Sequence, residues 1–131
     1  MCVNRVLVID DEEDIRNLLQ TILTGNGFEV FTAKSGEEGL IKVDEVHPDL
    51  VVLDVVLPGL SGYEVCRLLK HKSSTRGIKV LFVTALGREV DRRYAFEAGC
   101  DGYITKPFTV AELLTAVDEV LRSPDQLATN T

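Results

Sequence analysis

The sequence predicts an α/β fold in which a parallel sheet lies between two layers of helices. Three observations point to it. Short apolar runs rich in β-branched residues alternate with segments whose apolar residues recur at helical spacing. The links between them are too short for anything but neighbouring elements, and several of the apolar runs stop at a polar residue able to do chemistry. Val6, Leu7, Val8 and Ile9 form the first run, unbroken by polar residues as expected of a strand buried on both faces, and it ends at Asp10 and Asp11. Ile15, Leu18, Leu19, Ile22 and Leu23 then repeat at helical spacing, and Gly25 and Gly27 stop that helix. Phe28 to Thr32 reads as a second strand. Ser35 and Glu38 have the spacing of a capping box, opening a helix with Leu40, Val43 and Val46 that Pro48 forbids from continuing.

Asp49 to Leu53 is the third strand, ending at Asp54. Pro58, Gly59 and Gly62 mark a loop, and Ser61 with Glu64 starts a helix carrying Val65, Leu68 and Leu69. Ile78 to Val83 is a fourth strand ending at Thr84, and Arg88 to Ala98 is a helix with a thin apolar stripe. Asp101 to Ile104 is a short fifth strand ending near Lys106 and Pro107. Thr109 and Glu112 cap a last helix with Leu113, Leu114, Val117, Val120 and Leu121. From Ser123 to Thr131 the chain is polar and reads as a frayed end or the start of a linker.

The composition fits one globular domain. Among 131 residues, 45% are hydrophobic and 27% charged, a balance able to support a core without metal or disulfide staples. Lys and Arg number 14 against 21 Asp and Glu, a net charge of −7, which disfavours binding to nucleic acid or anionic membranes by bulk attraction. No apolar run approaches the roughly 20 residues needed to span a bilayer, and Asp10 arrives too early for a secretory signal. Cys2, Cys66 and Cys100 are widely spaced and form no metal-binding pair, so a reducing, cytoplasmic setting is expected.

In an open parallel sheet, ligands bind outside the carboxyl ends of the strands. Asp10, Asp11, Asp54, Thr84 and Lys106 therefore converge on one edge. Three clustered carboxylates must take up protons or bind a cation, and all-oxygen donors favour Mg²⁺. Lys106 would pair with a carboxylate or a phosphoryl oxygen, and Thr84 offers a hydroxyl. The chemistry that fits is phosphoryl transfer onto a carboxylate, with Asp54 the best acceptor because it ends a central strand.

The strings VLVIDDEEDIR (6–16), PDLVVLDVVLPGLSGYEV (48–65), VLFVTA (80–85) and GCDGYITKPF (99–108) resemble the receiver domain of bacterial two-component response regulators. The likeness covers the chain from Arg5 to about Arg122, so residues 1–122 read as the receiver domain and 123–131 as the tail. It implies a flavodoxin-like five-stranded sheet of order 2-1-3-4-5 with about five flanking helices, and a chemotaxis-regulator-like signalling switch rather than an enzyme, although one that promotes its own phosphorylation and dephosphorylation. It implies Asp54 as phosphoacceptor, taking the phosphoryl group from a sensor histidine kinase or a histidine phosphotransfer protein. It implies Mg²⁺, with Mn²⁺ as a substitute, held by Asp11 and Asp54, by Asp10 largely through water, and by the backbone carbonyl of Val56. Thr84 and Tyr103 match the switch pair, in which the threonine moves toward the phosphoryl group and the tyrosine ring turns inward. A cis bond is implied before Pro107. Val56 and Leu86 stand at loop positions that flank the acyl phosphate and are apolar here, which implies slow hydrolysis. The output would pass to another protein or domain, through the fourth helix, fifth strand and fifth helix.

Plainer readings stand beside these. Glu12, Glu13 and Asp14 read as a solvated helix start. His47 and His71 read as surface residues, and Cys66 and Cys100 as small packing residues. Arg88, Arg92 and Arg93 form either a solvated face or a partner surface near Tyr103. A phosphorylation-independent binding module and a Mg²⁺-dependent phosphohydrolase are the functional alternatives. The phosphohydrolase would place its nucleophile after the first strand and carry a cap domain. A flavodoxin-type cofactor binder would need a phosphate-cradling loop where this chain has five acids.

Overall fold

A computed structural model describes residues 4–124, and Cys2 and the tail from 125 onward lie outside the described residues. Ten elements alternate: β1 (Arg5–Ile9), α1 (Glu13–Thr24), β2 (Glu29–Ala33), α2 (Gly36–Val46), β3 (Leu50–Leu53), α3 (Gly62–His71), β4 (Lys79–Thr84), α4 (Glu89–Glu97), β5 (Gly102–Thr105) and α5 (Val110–Arg122). All strand pairs are parallel, in the order β2-β1-β3-β4-β5. The expected α/β fold, strand order and five helices are all present.

Four strands sit about one residue later than the apolar runs suggest. Asp49 and Asp101 each donate one backbone hydrogen bond to a neighbouring strand, and Lys79 donates to the Asp49 carbonyl just before β3, but continuous pairing begins after Asp49 and Asp101. At the other end pairing runs further, with Ala33 against Ile9 and Thr84 against Thr105. Phe28 is held instead by its N–H to Leu23 O at the end of α1.

Alternate strand residues face opposite helical layers. Leu7, Ile9, Val51, Leu53, Val80 and Phe82 pack with residues of α2, α3 and α4, whereas Val6, Val8, Leu50, Val52, Leu81 and Val83 pack with α1 and α5. Burial on both faces explains why the strands carry no polar alternation.

Two of the three predicted capping boxes close, at Ser61 with Glu64 and at Thr109 with Glu112. The third closes on one side only. Ser35 accepts from the Glu38 N–H, but the Glu38 carboxylate does not return the bond and lies 4.0 Å from Lys42, one helical turn on. His47 ends α2 in a left-handed conformation, with Pro48 next. His47 and His71 are exposed, and Cys66 and Cys100 are fully buried, where burial pushes both thiols up to about 12.

Gly62 fixes the loop after β3. Its N–H donates to Val55 O at 2.8 Å, and a methyl group there would overlap the Asp54 carbonyl oxygen and the Val55 backbone. Gly62→Ala is therefore expected to destabilise the fold by about 2 kcal/mol or more, as overpacking against backbone does. A urea midpoint equal to that of the parent would contradict this.

Candidate functional site

The site forms because parallel strands end together. Beyond β1 the Asp10 N–H still donates to Ala33 O, beyond β3 the Asp54 N–H donates to Ile9 O, and beyond β5 the Lys106 N–H donates to Thr84 O. Sheet hydrogen bonding thus carries each functional residue one step past its strand before the chain turns away. The Lys106–Pro107 peptide bond is cis.

The Lys106 ammonium lies at the centre. It donates to Asp54 Oδ2 at 2.8 Å, to Asp10 Oδ2 at 2.9 Å and to Glu12 Oε1 at 3.3 Å. Asp10 and Asp54 are buried, whereas the Glu12 side chain is largely exposed. The remaining oxygens are also occupied. Asp10 Oδ1 accepts from the Glu12 N–H at 2.9 Å, and Asp54 Oδ1 accepts from the Val56 N–H at 3.3 Å. Arg16 donates to the Asp10 carbonyl at 2.9 Å, tying α1 to the same corner.

Burial raises the Asp10 carboxyl above the usual carboxylate range, against the lowering effect of its bonds to the Glu12 N–H and to Lys106. For Lys106, burial works to lower the pKa, but the hydrogen bonds to Asp54 and Asp10 outweigh it and hold the ammonium above its ordinary value.

The other predicted residues are arranged around this centre. Thr84 is fully buried at the end of β4, and its hydroxyl accepts from the Leu86 N–H at 3.4 Å. The Tyr103 ring is turned inward and donates from its hydroxyl to Leu86 O, so Thr84 and Tyr103 hold the same loop residue. Burial pushes the Tyr103 hydroxyl up to about 12. The Arg92 guanidinium lies 5.5 Å from the Tyr103 ring centroid and 5.7 Å from that of Phe96. Arg88 pairs with Asp91, and Arg93 lies 3.9 Å from Glu89. Val56 is 60% exposed on the loop after Asp54.

Among the described residues, Asp10, Glu12 and Asp54 form the one group of three whose carboxylate oxygens lie within 4.8 Å of one another. Asp11 is exposed and stands outside that group. Glu12 is the residue that sequence reading passed over as helix-start charge. It is the N-cap of α1 but its side chain makes no capping bond, which leaves the carboxylate to reach Lys106. An all-oxygen donor set of this charge fits Mg²⁺, a hard cation that keeps several of its waters.

Removing the lysine would leave two buried carboxylates facing each other. Lys106→Ala is expected to cost about 3 kcal/mol at pH 7, the cost of breaking a buried ion pair from one side. The loss should shrink as pH falls. A folded-state carboxyl raised above its unfolded value binds protons more readily in the native state, so protonation of Asp10 stabilises the variant. Denaturant unfolding between pH 7 and pH 5 checks both the size and the sign.

Comparison with known proteins agrees with this geometry. Residues 6–118 match the family model described as "Response regulator receiver domain". The chain is 45% identical over 126 residues to the "Probable transcriptional regulator ycf27" of Porphyra purpurea, covering 96% of this chain and 51% of that protein. It is 44% identical over 118 residues to the alkaline phosphatase synthesis transcriptional regulatory protein PhoP of Bacillus subtilis, covering 90% of this chain and 48% of that one. The chain thus spans about half the length of these relatives. The structure of the chemotaxis protein CheY4 of Vibrio cholerae superposes with a TM-score of 0.86 at 28% identity, over 91% of this chain and 99% of that one. Receiver domains of response regulators are signalling proteins that bind Mg²⁺ at an acidic pocket and interact with histidine kinases and effectors. By its sequence, its strand order and the lysine shared between two strand-end aspartates, this chain belongs to the receiver domains of two-component response regulators.

Proposed function

We propose that Asp54 is the phosphoacceptor of this receiver domain and that Lys106, Thr84 and Tyr103 read its state. The observation that carries the reading is the Lys106 ammonium bonded to Asp10 and Asp54 together. In the transfer, an Asp54 carboxylate oxygen bonds to phosphorus. The bond from phosphorus to the donor's imidazole nitrogen breaks, and that nitrogen keeps the electron pair. Lys106 then neutralises a phosphoryl oxygen, and Thr84 donates its hydroxyl to another. Mg²⁺ would be held by Asp54 and Asp11, through water by Asp10, and by the Val56 carbonyl, and it would neutralise charge on the phosphoryl oxygens. The closeness of Glu12 to Lys106 supports adding it to the polar surroundings of the ion.

In this reading the donor is a sensor histidine kinase or a histidine phosphotransfer protein, the setting is cytoplasmic, and the chain is a switch rather than an enzyme of small-molecule turnover. Residues 1–122 form the receiver unit and 123–131 a tail or linker. The output passes to an effector protein or domain through α4, β5 and α5, with no direct contact between this chain and nucleic acid or membrane. Among the described residues no helix is long and apolar enough to cross a membrane.

Incubation with acetyl phosphate and Mg²⁺ should add one phosphoryl group by intact mass, and Asp54→Asn should add none. Addition to both proteins would mean another acceptor. Addition to neither, with Mg²⁺ bound, would favour a phosphorylation-independent binding module. Val56 and Leu86 offer no side-chain hydrogen bond to an attacking water. Val56→Asn is accordingly expected to shorten the lifetime of the phosphorylated form severalfold, measured by loss of the added mass with time. An unchanged lifetime would show that access of water is set elsewhere.

A further inference from the structure

We propose that Tyr63 is a positioning residue that couples the loop after Asp54 to the first turn of α4, and that its hydroxyl thereby raises the affinity of the Asp54 site for a phosphoryl group. The inference rests on the reading of Asp54, Thr84 and Tyr103 given above.

Tyr63 is fixed at its backbone by its neighbour. Gly62 closes onto Val55 O at 2.8 Å and packs against the Asp54 carbonyl, so the start of α3 cannot shift without shifting the acceptor loop. From there the Tyr63 hydroxyl crosses to α4 and donates to the Asp91 carbonyl at 3.0 Å. The Asp91 carboxylate is buried and accepts from the Arg88 N–H at 3.2 Å, from Arg88 Nε at 3.1 Å and from Arg88 Nη2 at 3.0 Å. This local clamp makes the first turn of α4 a single body, and Tyr63 holds that body to the α3 side.

The link from Thr84 to Arg88 is consequently pinned at both ends. At the near end, Leu86 donates its N–H to Thr84 and accepts from the Tyr103 hydroxyl. At the far end stands the clamp that Tyr63 holds. A Thr84 hydroxyl that accepts from Leu86 keeps its own proton for a phosphoryl oxygen. The arrangement with Tyr103 inward is thus the one suited to a phosphoryl group at Asp54, and the Tyr63 bond is made in that arrangement. The rings add a second route. Tyr63 lies 5.8 Å from Phe82 between centroids, and Phe82 lies 6.1 Å from Tyr103, so the two tyrosines flank one fully buried ring. By linkage, a bond that favours this arrangement must favour whatever ligand the arrangement favours, by the same factor.

Beryllofluoride with Mg²⁺ serves as the probe, titrated into the parent, Tyr63→Phe and Asp54→Asn. Tyr63→Phe keeps the ring and removes only the hydroxyl. It should bind beryllofluoride about fivefold more weakly, the factor that one ordinary hydrogen bond supplies. Its affinity for Mg²⁺ alone should match the parent, and amide exchange across residues 86–92 should be faster. Arg88→Gln, at a side chain 76% exposed, loosens the same turn without touching a ring and should weaken binding in the same direction. Equal beryllofluoride affinity in Tyr63→Phe and the parent would overturn the coupling, even with a lower melting temperature, because the hydroxyl would then be serving stability alone. Failure of the parent to bind, or equal binding by Asp54→Asn, would overturn the reading of Asp54 and the coupling with it.

Discussion

The arrangement depends on a single ammonium group. Asp10 and Asp54 end neighbouring strands, and both are buried. Two carboxylates so placed cannot both stay charged without a cation between them. Lys106 supplies it from 96 residues away along the chain from Asp10 and 52 from Asp54. It can do so only because β5 lies parallel to β4, so that the end of β5 reaches the edge where β1 and β3 also end. Burial alone would lower the pKa of the ammonium, and the two carboxylates more than reverse that. The lysine is therefore held in its charged form more firmly than a free lysine. Its contribution to stability is complete below the unfolded-state lysine pKa and is lost only as pH climbs through the raised folded value.

The same group has a chemical consequence. Under the proposed transfer to Asp54, the lysine bonded to that carboxylate already stands where a phosphoryl oxygen would be met. The proposed phosphorylation would exchange one anionic partner for another and ask for little movement of the cation. On the other side lies the loop after β4, which already holds the arrangement suited to a phosphoryl group in the proposed function. There Thr84 and Tyr103 both address Leu86, one through its N–H and one through its carbonyl. In the proposed function charge would be handled by the Lys106 cross-link and the response by a loop whose side-chain bonds are few and local.

Much of this was legible in the sequence for definite reasons. The inner strands β1, β3 and β4 are buried on both faces, so their apolar runs are unbroken and hard to mistake. The edge that carries Asp10, Asp54, Thr84 and Lys106 follows from parallel topology, because such sheets gather their strand ends on one side. Other features could not be read from spacing. Ser35 and Glu38 have the spacing of a capping box, but Lys42 lies one turn further on and the Glu38 side chain leans toward it. Glu12 is surrounded by other acids in the chain, and only the position of Lys106 distinguishes it from Glu13 and Asp14. Asp91 looks like a helix-start charge on an exposed face, yet it is buried, with its pKa lowered chiefly by hydrogen bonding to Arg88. In each case the deciding partner comes from a side-chain conformation or a distant segment, which a local pattern cannot contain.

The weakest helical signal in the sequence belongs to α4, and the structure gives the reason. α5 buries Leu113, Val117 and Val120, and α3 buries Val65, Cys66 and Leu69, whereas α4 buries Asp91 and Ala95. Two small or polar side chains remove little apolar surface from water, so the position of α4 owes correspondingly less to the hydrophobic core. It leans instead on specific bonds: the Arg88–Asp91 clamp, the Tyr63 hydroxyl, and the Arg92 guanidinium over Tyr103. Directional bonds of this kind can be exchanged one at a time, while a packed apolar face must be given up whole. A poor apolar stripe is therefore what a helix needs if it is to respond to a charge placed at Asp54. The exposed Val90, Tyr94 and Phe96 on α4 would give the proposed response a surface on which to be read.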